Sequence, residues 1–370
     1  MKKNVFFVLA ILLSLLVFTS CEENLEPEGQ TQSILPEKFS VDIPDAISRE
    51  NVVLKSASVD TLQGNDIYQH LNTFIHVGEA AAEIVEGIIG AISYFGIDKP
   101  LTLTYISDDD NRTKNLVVTE AVNFEGQLWD YQLTITDALS EVNSDGGKAL
   151  QVIWDKGHGN GINGVAILKP YNINRDDRDS APESVFRIDY SELGENGYDA
   201  QMIVQISGLP LEPALVDPYS VNTLKMFVGK NGDYVDVYGN TNHPHARFFT
   251  EDVGFNWAFV ASGSESLNIG VAEVGLPPSN LDATSRKVLL EDYSIRKVFS
   301  NQIYELWPLI NDEVVNAYLT NTAAPGYFNE AGFIQGGTSP GTEYESLEER
   351  ILDLSPYNPK EVSGMIVLFN

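Results

Sequence analysis

The sequence predicts a mainly β fold with helices: a curved antiparallel sheet, a barrel or half-barrel, around one long N-terminal helix, with a C-terminal helical cap. Three observations predict it. From Asn65 to Phe95, apolar side chains recur at alternating spacings of four and three, the period of one helix face. From Leu101 the period becomes two, broken by Asp, Asn and Gly turns, as in antiparallel strands with one face toward a core. Beyond Pro277 and Pro278 the pattern becomes helical again.

The first residues carry an address. Lys2 and Lys3 precede an apolar run from Val5 to Phe18, and the small residues Thr19 and Ser20 lead into Cys21. The run is shorter than the roughly 20 residues a helix needs to span a bilayer, and its order is that of a secretory signal. Phe18-Thr19-Ser20-Cys21 resembles the lipobox of bacterial lipoproteins. The resemblance implies a signal peptide over 1–20, cleavage before Cys21 and acylation of that cysteine. Several acyl chains at ~0.8 kcal/mol per buried methylene anchor stably where one is marginal. Cys21 is the only cysteine, which removes disulfide scaffolds, thiolate zinc sites and cysteine nucleophiles together. Glu22 and Glu23 resemble the signal by which some Gram-negative lineages export lipoproteins, implying an outer-membrane lipoprotein exposed at the cell surface; a plain acidic linker fits the same residues equally.

Residues 21–63 are rich in Glu, Ser, Gln and Pro and read as an acidic tether, along which the LPEKFSVDIP stretch can lie on the domain as an edge strand. The helix follows. Its stripe is Ile67, Leu71, Phe74, Gly78, Ala81, Val85, Ile88, Ile92 and Phe95, widened by Tyr68, Ile75, Ile84 and Ile89. Its small residues predict close approach of another element. Gly96 and Pro100 end it.

Ten or so strands are expected next, together with the helix making a domain over 64–278. Trp129, Tyr131, Leu133 and Ile135 alternate with polar neighbours, as do Phe186, Ile188 and Tyr190, and Phe255, Trp257 and Phe259. Asn231-Gly232 predicts a hairpin. So many strands require a sheet that curls or splits. A helical region over 279–370 is expected to pack on this domain, with a helix capped by Asp282 or Thr284 and running through Val298, Phe299, Ile303 and Leu306 until Pro308, a second over Asn311–Leu319, a short SLEERILDL helix after a loop over 321–345, and a final GMIVLF strand. The YSIRKVFS stretch fits helix or strand equally.

Composition narrows the function. With 23 Lys+Arg against 53 Asp+Glu the formal charge is −30, so nucleic acid and polybasic membrane adhesion are excluded as partners. The membrane is a partner only through the N-terminal lipid.

His243-Pro244-His245 places two imidazoles on one side of an extended segment, a geometry that can share a divalent metal with Glu251, or with Asp233, Asp236 or Asp252. With Glu251 the segment resembles the first motif of the cupins, metal-binding jelly-roll barrels, though its glycine and glutamate spacing depart from that motif. Gly159–Gly164 matches a dinucleotide fingerprint, but a strand follows it where a helix is required, so a hairpin loop is expected. Asp108-Asp109-Asp110-Asn111 reads as a charged turn more readily than as a calcium loop. Asp60-Thr61-Leu62 and Asp179-Ser180-Ala181 resemble an O-glycosylation motif of the same lineages, implying modification at Thr61 and Ser180.

No G-x-S-x-G elbow, H-E-x-x-H or Walker loop is present. The expectation is therefore a noncatalytic binding or structural lipoprotein of the cell envelope, with no required cofactor. Its ligand would be an apolar molecule between sheet and helix, or a glycan on exposed aromatics such as Trp154 or Tyr171. A metal-dependent hydrolase using His243 and His245 is the alternative. The curved sheet around a helix also resembles LolA-like half-barrels that hold lipid.

Overall fold

The computed structural model describes residues 33–49, 64–156, 161–176, 181–213, 217, 219–246 and 253–369. The fold is mainly antiparallel β with several helices. Among the described residues there are two compact units, one of 41–49, 64–79 and 196–366, the other of 33–40, 80–195 and 367–369.

The long helix α1 (Gly64–Ser93) forms where the sequence predicts it. Every stripe position from Ile67 to Val85 is buried, as are Tyr68, Ile75, Ile84 and Ile89. Gly96 ends it with φ of 63°, a conformation that costs glycine little, while its N–H reaches the Ser93 carbonyl at 3.0 Å. Phe95 therefore falls beyond the last helical turn and is exposed.

One unit holds β1 (Leu101–Ile106), β2 (Thr113–Phe124), β3 (Gln127–Asp137), β4 (Lys148–Asp155), β5 (Asn163–Leu168) and β6 (Val185–Ser191), with a short helix α2 (Pro170–Ile173). Each strand pairs antiparallel with its sequence neighbour. The alternation expected in β3 is present, with Trp129, Leu133 and Ile135 buried between more exposed neighbours.

Part of the stretch expected as tether packs here. Phe39 is fully buried, stacks on Tyr190 at 5.6 Å and lies over Gly164, where a Cβ would come within 2.8 Å of its ring. Its N–H and the Ser40 hydroxyl donate to the Glu86 carboxylate at 2.8 and 2.7 Å. This stretch is extended chain and makes no strand.

The other unit holds β7 (Ala200–Ser207), β8 (Thr223–Asn231), β9 (Tyr234–His243), β10 (Phe255–Ser264), β11 (Ile269–Gly275), β12 (Gly326–Asn329) and β13 (Gly332–Gly336). These too pair antiparallel in chain order. The first half of α1 covers one face: Phe74 meets Trp257 and His243, Gly78 lies against Met226, and Tyr68 stacks on Phe333 at 4.7 Å. Residues 43–48 share that face, where Ile47 lies on Gly270 and Glu79 accepts from the Ile43 N–H and the Ser48 hydroxyl. Helices α5 (Glu345–Leu352) and α6 (Pro359–Ser363) pack with the opposite face, where Leu347 and Ile351 join Val260, Val271 and Tyr327. Burial on both faces makes all of β10 inaccessible, so strict alternation of polar and apolar residues was never required of it.

Several local expectations change. The β8–β9 hairpin turns on Gly232 and Asp233, with Asn231 still paired to Tyr234. Gly232 alone of these takes a positive φ, 58°, as a turn with glycine first requires. The YSIRKVFS stretch is helical, opening α3 (Ile295–Leu306), and α4 (Asp312–Tyr318) follows, capped by Asn311 through the Val314 N–H at 2.9 Å. The expected loop over 321–345 contains the β12–β13 hairpin. GMIVLF makes no strand; its Val367 packs with Phe124, Trp129 and Ile153.

Candidate functional site

His243 and His245 do not share a site in the manner their spacing suggests. His243 ends β9 fully buried, stacked on Phe255 at 5.3 Å and edge-on to Trp257 at 4.9 Å. Its Nδ1 lies 2.8 Å from the Tyr219 carbonyl, which only accepts, so Nδ1 carries the proton. Nε2 then accepts from the Thr241 hydroxyl at 2.8 Å. Both ring nitrogens are engaged, and burial pushes the pKa down to about 3, so the ring is a neutral core imidazole. His245 turns instead to the Glu212 carbonyl through Nδ1 at 2.8 Å. Asp236 is taken by Arg350, and Asp233 by Ser264 and Ser266. Among the described residues, no three His, Cys, Asp or Glu side chains are grouped to hold a metal. Cys21, Thr61, Ser180, Glu251 and Asp252 lie outside the described residues.

The other marked residues have structural partners. Trp154 is buried, and its indole donates to the Ile34 carbonyl at 3.0 Å, which removes it as an exposed sugar platform. Tyr171 has the Arg175 guanidinium over its ring at 4.3 Å. In the Asp108–Asn111 turn, Asp110 is buried and accepts from Lys114 Nζ at 2.8 Å and from the Arg112 and Arg175 N–H groups. The strands β4 and β5 flank the glycine-rich segment as a hairpin, with Asp155 paired to Asn163.

What the fold does assemble is an aromatic and charged face on β8 and β9. Alternation puts Lys225 and Phe227 on the side of β8 turned away from α1, and Tyr234, Asp236 and Tyr238 on the same side of β9. Tyr198, just before β7, lies flat over Gly229, where a Cβ would sit 2.6 Å from its ring. Tyr357, from the C-terminal stretch, closes the row. Centroids run from Tyr198 to Phe227 at 5.4 Å, on to Tyr238 at 4.8 Å and to Tyr357 at 5.3 Å. Phe227 is buried and the three tyrosines are half-buried.

Charges edge this row. Asp236 receives both Nε and Nη2 of Arg350, at 2.9 and 2.7 Å, and the hydroxyls of Ser262 and Tyr198 at 2.7 and 3.0 Å. Burial and the Asp236 charge push the Tyr198 phenol well above its usual range, so it remains a donor at neutral pH. Arg350 also lies over Tyr234 at 4.9 Å, and Lys225 Nζ over Tyr357 at 4.3 Å. The result is a set of ring faces bordered by one ammonium and one paired guanidinium, suited to holding a ligand with apolar faces and polar edges.

Sequence reasoning missed Tyr198, Arg350 and Tyr357 because they reach the face from separate parts of the chain. Period two over Tyr234, Asp236 and Tyr238 was the available signal. No family model matches the chain, and no curated protein or solved structure shows significant similarity to it.

Proposed function

We propose that this chain is a noncatalytic binding lipoprotein of the outer membrane, held by acyl chains on Cys21 and recognising a glycan at the Tyr198–Phe227–Tyr238–Tyr357 face. The observation that carries the reading is that row of ring contacts, 5.4, 4.8 and 5.3 Å, edged by Lys225 and by the Asp236–Arg350 pair. Sugar rings have apolar C–H faces and polar rims, which tyrosine faces and neighbouring charges complement. The expected half-barrel belongs to the same reading. The alternative apolar ligand is less favoured, because in the unit of β7–β13 the α1 face of the sheet is occupied by Tyr68, Phe74, Trp257 and Met226.

The test uses the mature chain with Cys21→Ser on a glycan array, followed by calorimetry on any sugar bound. Tyr238→Ala and Tyr357→Ala are expected to weaken binding at least about tenfold. An array without binding, alongside stoichiometric lipid in native mass spectrometry, would transfer the reading to the apolar ligand. Cys21→Ser should also move the protein to the soluble or unprocessed fraction; equal membrane retention would remove the anchor.

A further inference from the structure

The turn between α3 and α4 carries Leu309, the most exposed large apolar side chain of the β7–β13 unit among the described residues, beside two other exposed ones. The two helices bury Ile295, Val298, Phe299 and Val315. On the turn, Leu306 is 68% exposed, Trp307 58% and Leu309 100%. Solvated single hydrophobes are ordinary, but a Trp and two Leu side chains exposed together on one short turn mark an interaction surface.

The surface is held in shape before any partner arrives. The Tyr304 hydroxyl donates to Asp312 at 2.8 Å and ties the end of α3 to the start of α4. Arg296 donates to the Leu319 carbonyl at 3.3 Å and to Asn316, bracing the other end. Preorganisation of this kind lowers the ordering cost of association.

Charge selects the occupant. Glu305, Asp312 and Glu313 rim the apolar tip and are exposed, and no Lys, Arg or His occurs from Val298 to Glu349. A second copy would bring two acidic rims together. An anionic bilayer would repel the rim, since interfacial adhesion uses Lys and Arg beside the apolar side chains. We propose that the α3–α4 turn docks a protein partner presenting an apolar groove rimmed by lysine or arginine.

The experiment places a photo-crosslinking residue at position 309 of the full lipidated chain in the cells that produce it. One discrete protein adduct is expected. The purified adduct partner should bind the full chain about tenfold more weakly at roughly 0.5 M than at roughly 0.05 M salt. The double change Glu305→Lys/Glu313→Lys, which leaves the Tyr304–Asp312 tie intact, should weaken it by at least about tenfold, with circular dichroism and Tm unchanged. The proposal is overturned by an absent adduct, by an adduct with a second copy, or by a partner indifferent to salt and charge reversal. Binding of phosphatidylcholine or phosphatidylglycerol vesicles by the Cys21→Ser chain, lost on Leu309→Asp, would also overturn it.

Discussion

Asp236 and Arg350 form a two-point contact, Nε and Nη2 against the two carboxylate oxygens at 2.9 and 2.7 Å, between the first residues of β9 and the last turn of α5. The carboxylate side chain is only 5% exposed and the guanidinium 26%. A buried acid with this many donors fixes where α5 rests on the sheet, and with it the position of Tyr198 and the adjoining aromatic row.

Removing the arginine should expose that dependence. Arg350→Ala leaves Asp236 charged and buried with only hydroxyl partners, and is expected to cost about 3 kcal/mol in urea unfolding. The double variant Asp236→Asn/Arg350→Met should recover part of the loss, because no uncompensated charge remains. If both variants unfold at the wild-type midpoint, the pair does not organise this face.

The imidazole of His243 should remain neutral far into acid. Its folded pKa of about 3 lies below the ordinary value of 6.5 because burial disfavours the charged ring. The unfolded chain takes up the proton first, so this group withdraws stability as pH falls from about 6.5 toward 3. Nitrogen NMR should report the Nδ1–H tautomer down to about pH 4. A ring titrating near pH 6 would contradict the buried arrangement with Tyr219 and Thr241.

Asp137 and Asp110 act in the same direction at lower pH. Burial alone would raise both, but hydrogen bonds and charge from Arg112 and Lys114 outweigh it and hold both carboxyls below their usual range. Folded pKa values below the unfolded ones give stability that is present above about pH 4 and lost as pH falls through the folded values. Asp137→Asn should lower stability at pH 7 and flatten its decline as pH falls below about 4, measured by denaturant melts. An unchanged slope would show that the cluster is not linked to folding.

Phe39 tests whether the incoming segment belongs to the folded unit. Its ring is fully buried over Gly164 and against Tyr190, so Phe39→Ala is expected to cost about 3–5 kcal/mol. Glu86→Gln should cost less, since an amide oxygen still accepts from the Phe39 N–H. Wild-type stability in Phe39→Ala would mean that residues 33–40 contribute nothing to that unit.

Gly229 fixes where Tyr198 lies on the face proposed to hold a glycan. Gly229→Val cannot keep Tyr198 flat on β8, because even a Cβ comes within 2.6 Å of the ring. If the proposed glycan reading holds, sugar binding should fall about as far as in Tyr198→Ala, while far-ultraviolet circular dichroism stays that of the parent. Full binding by Gly229→Val would remove Tyr198 from the ligand face.

Periodicity by itself determined α1, the run of strands from Leu101 to Gly275 and the α5 helix, because helix faces and pleated strands repeat every few residues and need no knowledge of the partner. The resemblance of Phe18–Cys21 to a lipobox is also local and needs no fold to be read. Only tertiary structure decided that β10 is covered on both faces, that residues 33–49 pack into the core, and that β12 and β13 form inside an apparent loop. It also decided the fate of the histidines. Two imidazoles at i and i+2 look alike in sequence, yet one is held by the Tyr219 carbonyl from another stretch of the chain, leaving its second nitrogen to the Thr241 hydroxyl on its own strand. The aromatic face is the same case in reverse: Tyr198, Tyr238 and Tyr357 are far apart in the chain, and contacts at long separation leave no period to read.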